Sequence, residues 1–192
     1  VMRFLNVEGA AVALPGADDG TLLVAAAEGS LATSLGIKVT DATPSLLLRA
    51  NSTERIEVTN GNEREPVFLL PGHQVVTGAA APLRAHGLTM GVLAAADRKE
   101  GTFSAEDLWL LSTVATHVAV VMANSRLFEM VRQAKDEWET AFNALTEGIA
   151  VVDRAGNISR GNLALAHFLD VAPPGLIGRP LWRSIVGEPE GE

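Results

Sequence analysis

Short apolar runs separated by turn residues fill the first hundred positions, and this pattern predicts an antiparallel β-sheet. Residues 10–14 and 21–28 flank a Pro-Gly-Ala-Asp-Asp-Gly turn, and residues 75–84 and 88–97 flank a turn at His86-Gly87. Each pair is expected to form a β-hairpin. The other elements predicted in this part are a short helix at 30–35, a loop at 37–43, a short helix at 45–51, a strand at 55–59 and an irregular segment at 60–72.

A single long helix is predicted from Ser104 to the glycine at position 148. Ser104 is a suitable N-cap, and Asp107 lies in the first turn, where the helix dipole favours an anion. Apolar residues then recur every three or four positions, with one five-residue step after Met122. They are Leu108, Leu111, Ala115, Val118 and Met122, followed by Leu127, Val131, Ala134, Trp138, Ala141 and Leu145.

Charged residues crowd the second half of this helix, so one small domain cannot cover it. We expect the helix to leave its domain and to pair with a second copy in a parallel coiled coil, which makes the chain a homodimer. A helix that lies along its own domain is the alternative. The five-residue step marks a shift from domain packing to partner packing, and it is the place where two packings of similar energy are expected.

Composition narrows the functional classes. The net charge of −8 argues against nucleic-acid binding, which needs a basic surface. The chain has no cysteine, which excludes disulfides, thiolate metal sites and cysteine nucleophiles. No two histidines stand three or four residues apart, so no helical metal pair is expected. Without a signal-peptide pattern or an apolar run of about 18 residues, we expect a cytoplasmic chain with no membrane segment.

The second hairpin and the long helix carry motifs that resemble a GAF domain. These motifs are Pro82-Leu83, Gly91-Val92-Leu93, Phe103-Ser104 with Asp107-Leu108, and Asn124 with Leu127. The resemblance covers about residues 9–131. It implies an α+β fold in which helices flank an antiparallel sheet, and we place this sensor domain at residues 1–125.

The residues after the long helix resemble the first half of a PAS domain. A strand at 149–152, a turn with Gly156, a strand at 157–159 and a helix at 162–169 are predicted there, with a break at 173–175. The resemblance also includes Ile177-Gly178-Arg179-Pro180-Leu181-Trp182. We therefore assign residues 104–147 to a helical linker and residues 141–192 to an incomplete, PAS-like α/β segment.

The GAF resemblance implies a cavity between one sheet face and the segments at 37–51 and 60–76. Four polar residues are the candidate ligand contacts: Arg49, Asn51, His73 and Thr77. Arg49 is suited to a phosphate or carboxylate, although a solvated arginine is the commoner outcome. His86 is expected to be an exposed turn residue. Without cysteine, neither a covalent bilin nor a flavin adduct is possible, so no cofactor is predicted beyond an unknown small ligand.

The order GAF, helix, PAS resembles the input region of bacterial sensor histidine kinases in two-component systems. The resemblance implies a sensory and signal-relay function without catalysis in this chain. The alternative is a ligand-free GAF dimerisation module of a cyclic di-nucleotide enzyme or a transcriptional regulator. The residues expected to form the dimerising and signalling helix are Leu111, Val118, Met122, Leu127, Val131, Ala134, Trp138 and Leu145.

Overall fold

The computed structural model describes residues 1–42, 44–61 and 67–186, with the side chains of 184 and 185 left out. Position 43 of the predicted loop, positions 62–66 of the predicted irregular segment and the last six positions of the predicted PAS-like segment lie outside the described residues. The chain divides into two compact units, Val1–Arg126 and Leu127–Glu192.

The first unit is built on a six-stranded antiparallel sheet. Its elements, in chain order, are α1 (Met2–Leu5), β1 (Val7–Pro15), β2 (Leu22–Gly29), β3 (Lys38–Val39), α2 (Leu46–Thr53), β4 (Glu57–Asn60), β5 (Val67–Leu70), β6 (His73–Val75), β7 (Thr77–Ala85), β8 (Leu88–Arg98) and the start of α3 (Ala105–Ala144). The strand order is β3-β2-β1-β8-β7-β4, and β5 pairs with β6 in a separate hairpin. Both predicted hairpins are confirmed.

Three local features differ from the sequence prediction. The predicted helix at 30–35 is a single 3-10 turn, Ala32–Ser34. The predicted loop at 37–43 contains the two-residue strand β3, and the predicted irregular segment at 60–72 contains β5. These strands are two and four residues long, which is too short to show a convincing alternation in the sequence.

The hairpin of β7 and β8 turns on two residues with positive φ. His86 has φ 52° and Gly87 has φ 79°, as a two-residue type I′ turn requires. The His86 side chain is exposed, which confirms its prediction as a turn residue. At Gly91, with φ 147°, a Cβ atom would stand 2.4 Å from the carbonyl oxygen of Ala13, so only glycine allows β8 to approach β1 this closely.

Successive residues of β7 and β8 point to opposite faces of the sheet, and each face has its own core. Ala79, Ala81 and Ala95 belong to the core on the α3 side, together with Leu111 and Ala115. These small residues let the helix pack directly on the sheet. The residues between them belong to the core on the α2 side: Ala80, Val92, Ala94 and Ala96.

Helix α3 begins with a reciprocal cap that is anchored to the sheet. The backbone N–H of Asp107 donates to Ser104 Oγ (3.2 Å), and Ser104 N–H donates to Asp107 Oδ2 (2.8 Å). Arg98, at the end of β8, forms an ion pair with the same carboxylate. Asn60 on the edge strand β4 binds both the N–H and the C=O of Phe103 (2.8 and 3.1 Å). The end of the sheet therefore fixes where α3 starts.

The two apolar stripes of α3 lie on opposite faces of the helix. Leu111 is fully buried, and Val118 and Met122 pack against the same sheet-facing core. Leu127 follows Val118 by nine residues, which is two and a half turns at about 3.6 residues per turn, and Leu127 is 60% exposed. The five-residue step is thus a change of face in a continuous helix. This corrects the prediction for Leu111, Val118 and Met122, because residues buried against their own sheet cannot line a helix–helix seam.

By length and composition alone, α3 could cross a membrane. This is weak evidence, because a helix in a domain core has the same composition. The buried residues Leu111, Ala115 and Ala119 of this helix belong to such a core against the sheet.

The second unit contains the last part of α3, followed by β9 (Ala150–Val152), β10 (Ile158–Gly161), α4 (Leu163–Phe168) and α5 (Leu181–Val186). Asn162 is fully buried and joins three of its segments. Its Oδ1 accepts hydrogen bonds from the N–H groups of Ile149 and Leu165, both at 2.9 Å, and its Nδ2 donates to the Glu147 carbonyl at 2.8 Å. The predicted hairpin and the helix after it are present with slightly different bounds.

The turn between β9 and β10 is held by a carboxylate. Asp153 Oδ1 accepts hydrogen bonds from the N–H groups of Ala155 and Asn157, both at 2.9 Å. These bonds, with that of Asn157 the largest, lower the pKa of the Asp153 carboxyl. Above its ordinary pKa, this carboxylate therefore stabilises the turn that the sequence predicts at Gly156.

Candidate functional site

The sheet face under α2 is the first candidate site, and apolar side chains fill the space over its described part. Leu46 and Leu47 from α2, and Leu69 and Leu70 from β5, are at most 1% exposed. They pack on the small strand residues of the α2-side core. At Gly78 the contact is so close that a Cβ atom would meet Val75 Cγ2 at 2.8 Å. The small residues of the sheet therefore serve tight packing here as well.

The buried polar side chains of the first unit already have hydrogen-bond partners. Ser45 accepts from Leu48 N–H at 3.4 Å as the N-cap of α2. Thr77, a predicted ligand contact, is 8% exposed, and its Oγ1 accepts from Arg98 N–H at 2.8 Å. Ser34 is fully buried and contacts His73. A ligand pocket needs polar groups that are free to receive the ligand, and these three are engaged within the protein.

Arg49 and Asn51, two of the predicted ligand contacts, lie near one another on α2. Both line an open surface depression of about 420 Å³, together with Gly20, Asp41, Pro44, Ser45, Leu48 and Ser52. Arg49 Nη2 donates to Glu57 Oε2 at 2.5 Å, and Thr53 Oγ1 donates to the same carboxylate at 3.2 Å. Because Glu57 already balances the arginine charge, an anionic ligand would have to compete with this ion pair.

His73, the third predicted contact, joins β6 to the 3-10 turn. Its Nε2 lies 3.2 Å from the Ser30 carbonyl oxygen, and its Nδ1 lies 3.0 Å from Ser34 Oγ. A carbonyl only accepts, so Nε2–H donates to Ser30 and Nδ1 of the neutral ring accepts from the Ser34 hydroxyl. The Ser34–His73 distance suits a nucleophile and its base, but a fully buried hydroxyl cannot reach a substrate. The pair therefore fastens the β5–β6 hairpin to the turn.

Asp97 lies close to this histidine in a left-handed conformation, with φ 50°. Burial raises the pKa of its carboxyl, a hydrogen bond with the backbone of Val76 lowers it, the charge of Glu8 raises it and His73 lowers it. Among the described residues, no group of three or more His, Asp or Glu side chains could hold a metal ion.

The outer face of α3 is the second candidate site, because large apolar side chains are exposed there. Leu127, Phe128, Met130 and Val131 are 60–73% exposed, and Trp138 is 43% exposed. Arg160 lies over the Trp138 ring at 4.8 Å, and Phe142 stacks on it at 4.7 Å. Surface proteins rarely leave such a cluster uncovered unless it binds a partner.

The sequence prediction named Leu127, Val131 and Trp138 on this face but missed Phe128 and Met130. Their signal was present in the sequence: two further large apolar residues stand beside the stripe, within a stretch whose other positions are charged. The other predicted stripe members, Ala134 and Leu145, are also exposed.

The family model for the GAF domain matches residues 1–123. The chain therefore belongs to the GAF domain family, a class of signalling and sensory modules. The formate hydrogenlyase transcriptional activator of Salmonella typhimurium is 28% identical over 120 residues, which are 59% of this chain and 17% of the relative. The chain thus spans about a sixth of the length of the curated relatives that it matches.

Solved GAF structures share the fold. The GAF domain of an Acinetobacter phosphoenolpyruvate-protein phosphotransferase has a TM-score of 0.56 at 17% identity, covering 67% of this chain and 78% of that one. The second GAF domain of DevS from Mycobacterium smegmatis has a TM-score of 0.54 at 21% identity, covering 67% and 90%. Residues 122 to 287 of a methyl-accepting chemotaxis protein have a TM-score of 0.57 at 14% identity, covering 66% and 84%. At these identities the likeness concerns the fold alone.

Proposed function

We propose that this chain is the signal-relay region of a cytoplasmic bacterial signalling protein, in which the GAF unit acts as a packed platform for α3. One observation carries this proposal: the α2 face of the sheet is filled, while the outer face of α3 is apolar and exposed. The platform fixes the start of α3 through Asn60 and Arg98, so a change in the sheet would move the helix. The chain itself has no catalytic role and no cofactor in this proposal.

The occupant of the exposed α3 face is a second copy of the chain. Its large apolar side chains are Val120, Leu127, Phe128, Met130, Val131, Trp138 and Leu145. Covering their exposed parts removes on the order of 700 Å² per chain from water, close to the roughly 800 Å² per partner of a stable interface. The spacing of three and four residues from Leu127 to Leu145 suits a parallel coiled coil.

The second unit is the first half of a PAS-like module that receives the signal from α3. The hairpin of β9 and β10, the buried Asn162 and the Asp153 turn occupy the positions that the resemblance to that family implies. The output of the whole protein is a histidine kinase or a transcriptional regulator. The second of these shares its class with the curated Salmonella relative, whose name describes a transcriptional activator.

Sedimentation and native mass spectrometry of the freshly purified chain test this function. The proposal expects a concentration-dependent homodimer without a retained small molecule. A monomer at high micromolar concentration contradicts the relay through paired helices. A retained ligand contradicts the packed platform and favours a ligand-binding sensor, for which Arg49 and Asn51 line the depression described above.

A further inference from the structure

Asn124 is the single polar residue in the exposed stripe of α3. The stripe consists of Val120, Asn124, Leu127, Val131, Ala134, Trp138, Ala141 and Leu145, at alternating steps of four and three residues. Its first four members each follow a sheet-facing residue (Leu111, Ala115, Val118 and Met122) by nine residues. Two and a half turns separate the two residues of each pair, so Asn124 lies opposite the sheet.

The surroundings of Asn124 are those of a coiled-coil core position. In the heptad defined by the stripe, Asn124 and Val131 occupy a positions, and Leu127 occupies a d position. A β-branched residue at a and leucine at d favour two parallel strands. The ion pairs of this helix, formed by Arg132 with Glu129 and Asp136 and by Lys135 with Glu139, leave the a and d positions free of charge. The Asn124 side chain is exposed and has no hydrogen-bond partner among the described residues.

We propose that Asn124 sets the register and parallel orientation of the α3 dimer by hydrogen bonding to the Asn124 of a second copy. This inference rests on the proposed function, because it requires that α3 pairs with itself. An amide carries both a donor and an acceptor, so two copies satisfy each other only when they meet at the dyad. Shifted or antiparallel arrangements leave each amide buried against apolar side chains without a partner, which is unfavourable.

The test compares Asn124→Val with Gln133→Val, a matched control on the charged outer side of the same helix. Both are made in the full chain with Ala134→Cys, which introduces a thiol at a d position of a chain that has no other cysteine. Parallel, in-register helices bring the two thiols within disulfide range. The readouts are the yield of disulfide-linked dimer and the mass distribution in sedimentation.

We expect the chain with Asn124 and the Gln133→Val control to form mainly the disulfide-linked dimer. Asn124→Val should associate at least as tightly, while its disulfide yield falls by at least about threefold and species larger than a dimer appear. An unchanged yield and a pure dimer in Asn124→Val overturn the role of Asn124 but leave the proposed function standing. A monomeric starting chain instead refutes the dimer itself, and with it both proposals.

Discussion

At the scale of single residues, Asp97 gives the chain a dependence of stability on pH. Because the pKa of its carboxyl is raised mainly by burial, the folded state binds this proton more tightly than the unfolded state. Stability therefore falls as the pH rises from the ordinary pKa of 3.8 through the raised value, and the full cost is present at pH 7.

Asp97→Asn should remove this cost. Asparagine tolerates the left-handed backbone, and its carbonyl can still face the Val76 backbone. We expect the free energy of unfolding at pH 7 to rise by less than about 1 kcal/mol, because solvent screens a partly exposed group, and the gain to vanish near pH 3. Urea unfolding across this pH range measures it, with Asp19→Asn as the exposed control. A loss of stability at pH 7 would mean that the charged carboxylate is needed.

At the scale of elements, the two faces of α3 make a prediction that separates folding from association. Leu111→Ala removes a fully buried side chain and should lower the unfolding free energy of the GAF unit by about 2–5 kcal/mol. Leu127→Ala removes an exposed side chain of the same type and should leave that stability nearly unchanged while it weakens the dimer. Chemical unfolding and sedimentation of both variants provide the comparison. Equal effects of the two variants on unfolding would contradict the assignment of faces.

The elements also show how far sequence patterns reach. The hairpin at His86-Gly87 and the start of α3 at Ser104 were predictable, because turn chemistry and capping act over a few residues. Which stripe of α3 meets the sheet was not, because both stripes have the same spacing and their burial depends on the tertiary fold.

The candidate ligand contacts followed the same rule. Arg49, His73 and Thr77 were recognisable as polar residues near one sheet face, yet their engagement with Glu57, Ser34 and Arg98 comes from strands distant in sequence. The filling of that face depends on leucines of α2 and β5 whose inward direction no local pattern specifies.

At the scale of the whole molecule, charge opposes the association that the α3 stripe favours. Each chain carries a net charge of −8, so a dimer brings two acidic molecules together. Four carboxylates lie between positions 127 and 145, namely Glu129, Asp136, Glu137 and Glu139, against the cations Arg132 and Lys135. Apolar contacts do not weaken with moderate salt, whereas repulsion between exposed charges is screened over about 10 Å at 0.1 M ionic strength.

We therefore expect the dimer to tighten severalfold when the ionic strength is raised from about 20 mM to about 300 mM, since the shorter screening length weakens repulsion between the copies. The ion pairs on α3 join residues of the same helix, and exposed pairs of this kind contribute little, so their screening should not reverse the trend. Sedimentation equilibrium at the two ionic strengths measures the change. A dimer that instead dissociates as salt is added would be held by ion pairs between the copies, and the apolar seam would then be the wrong interface.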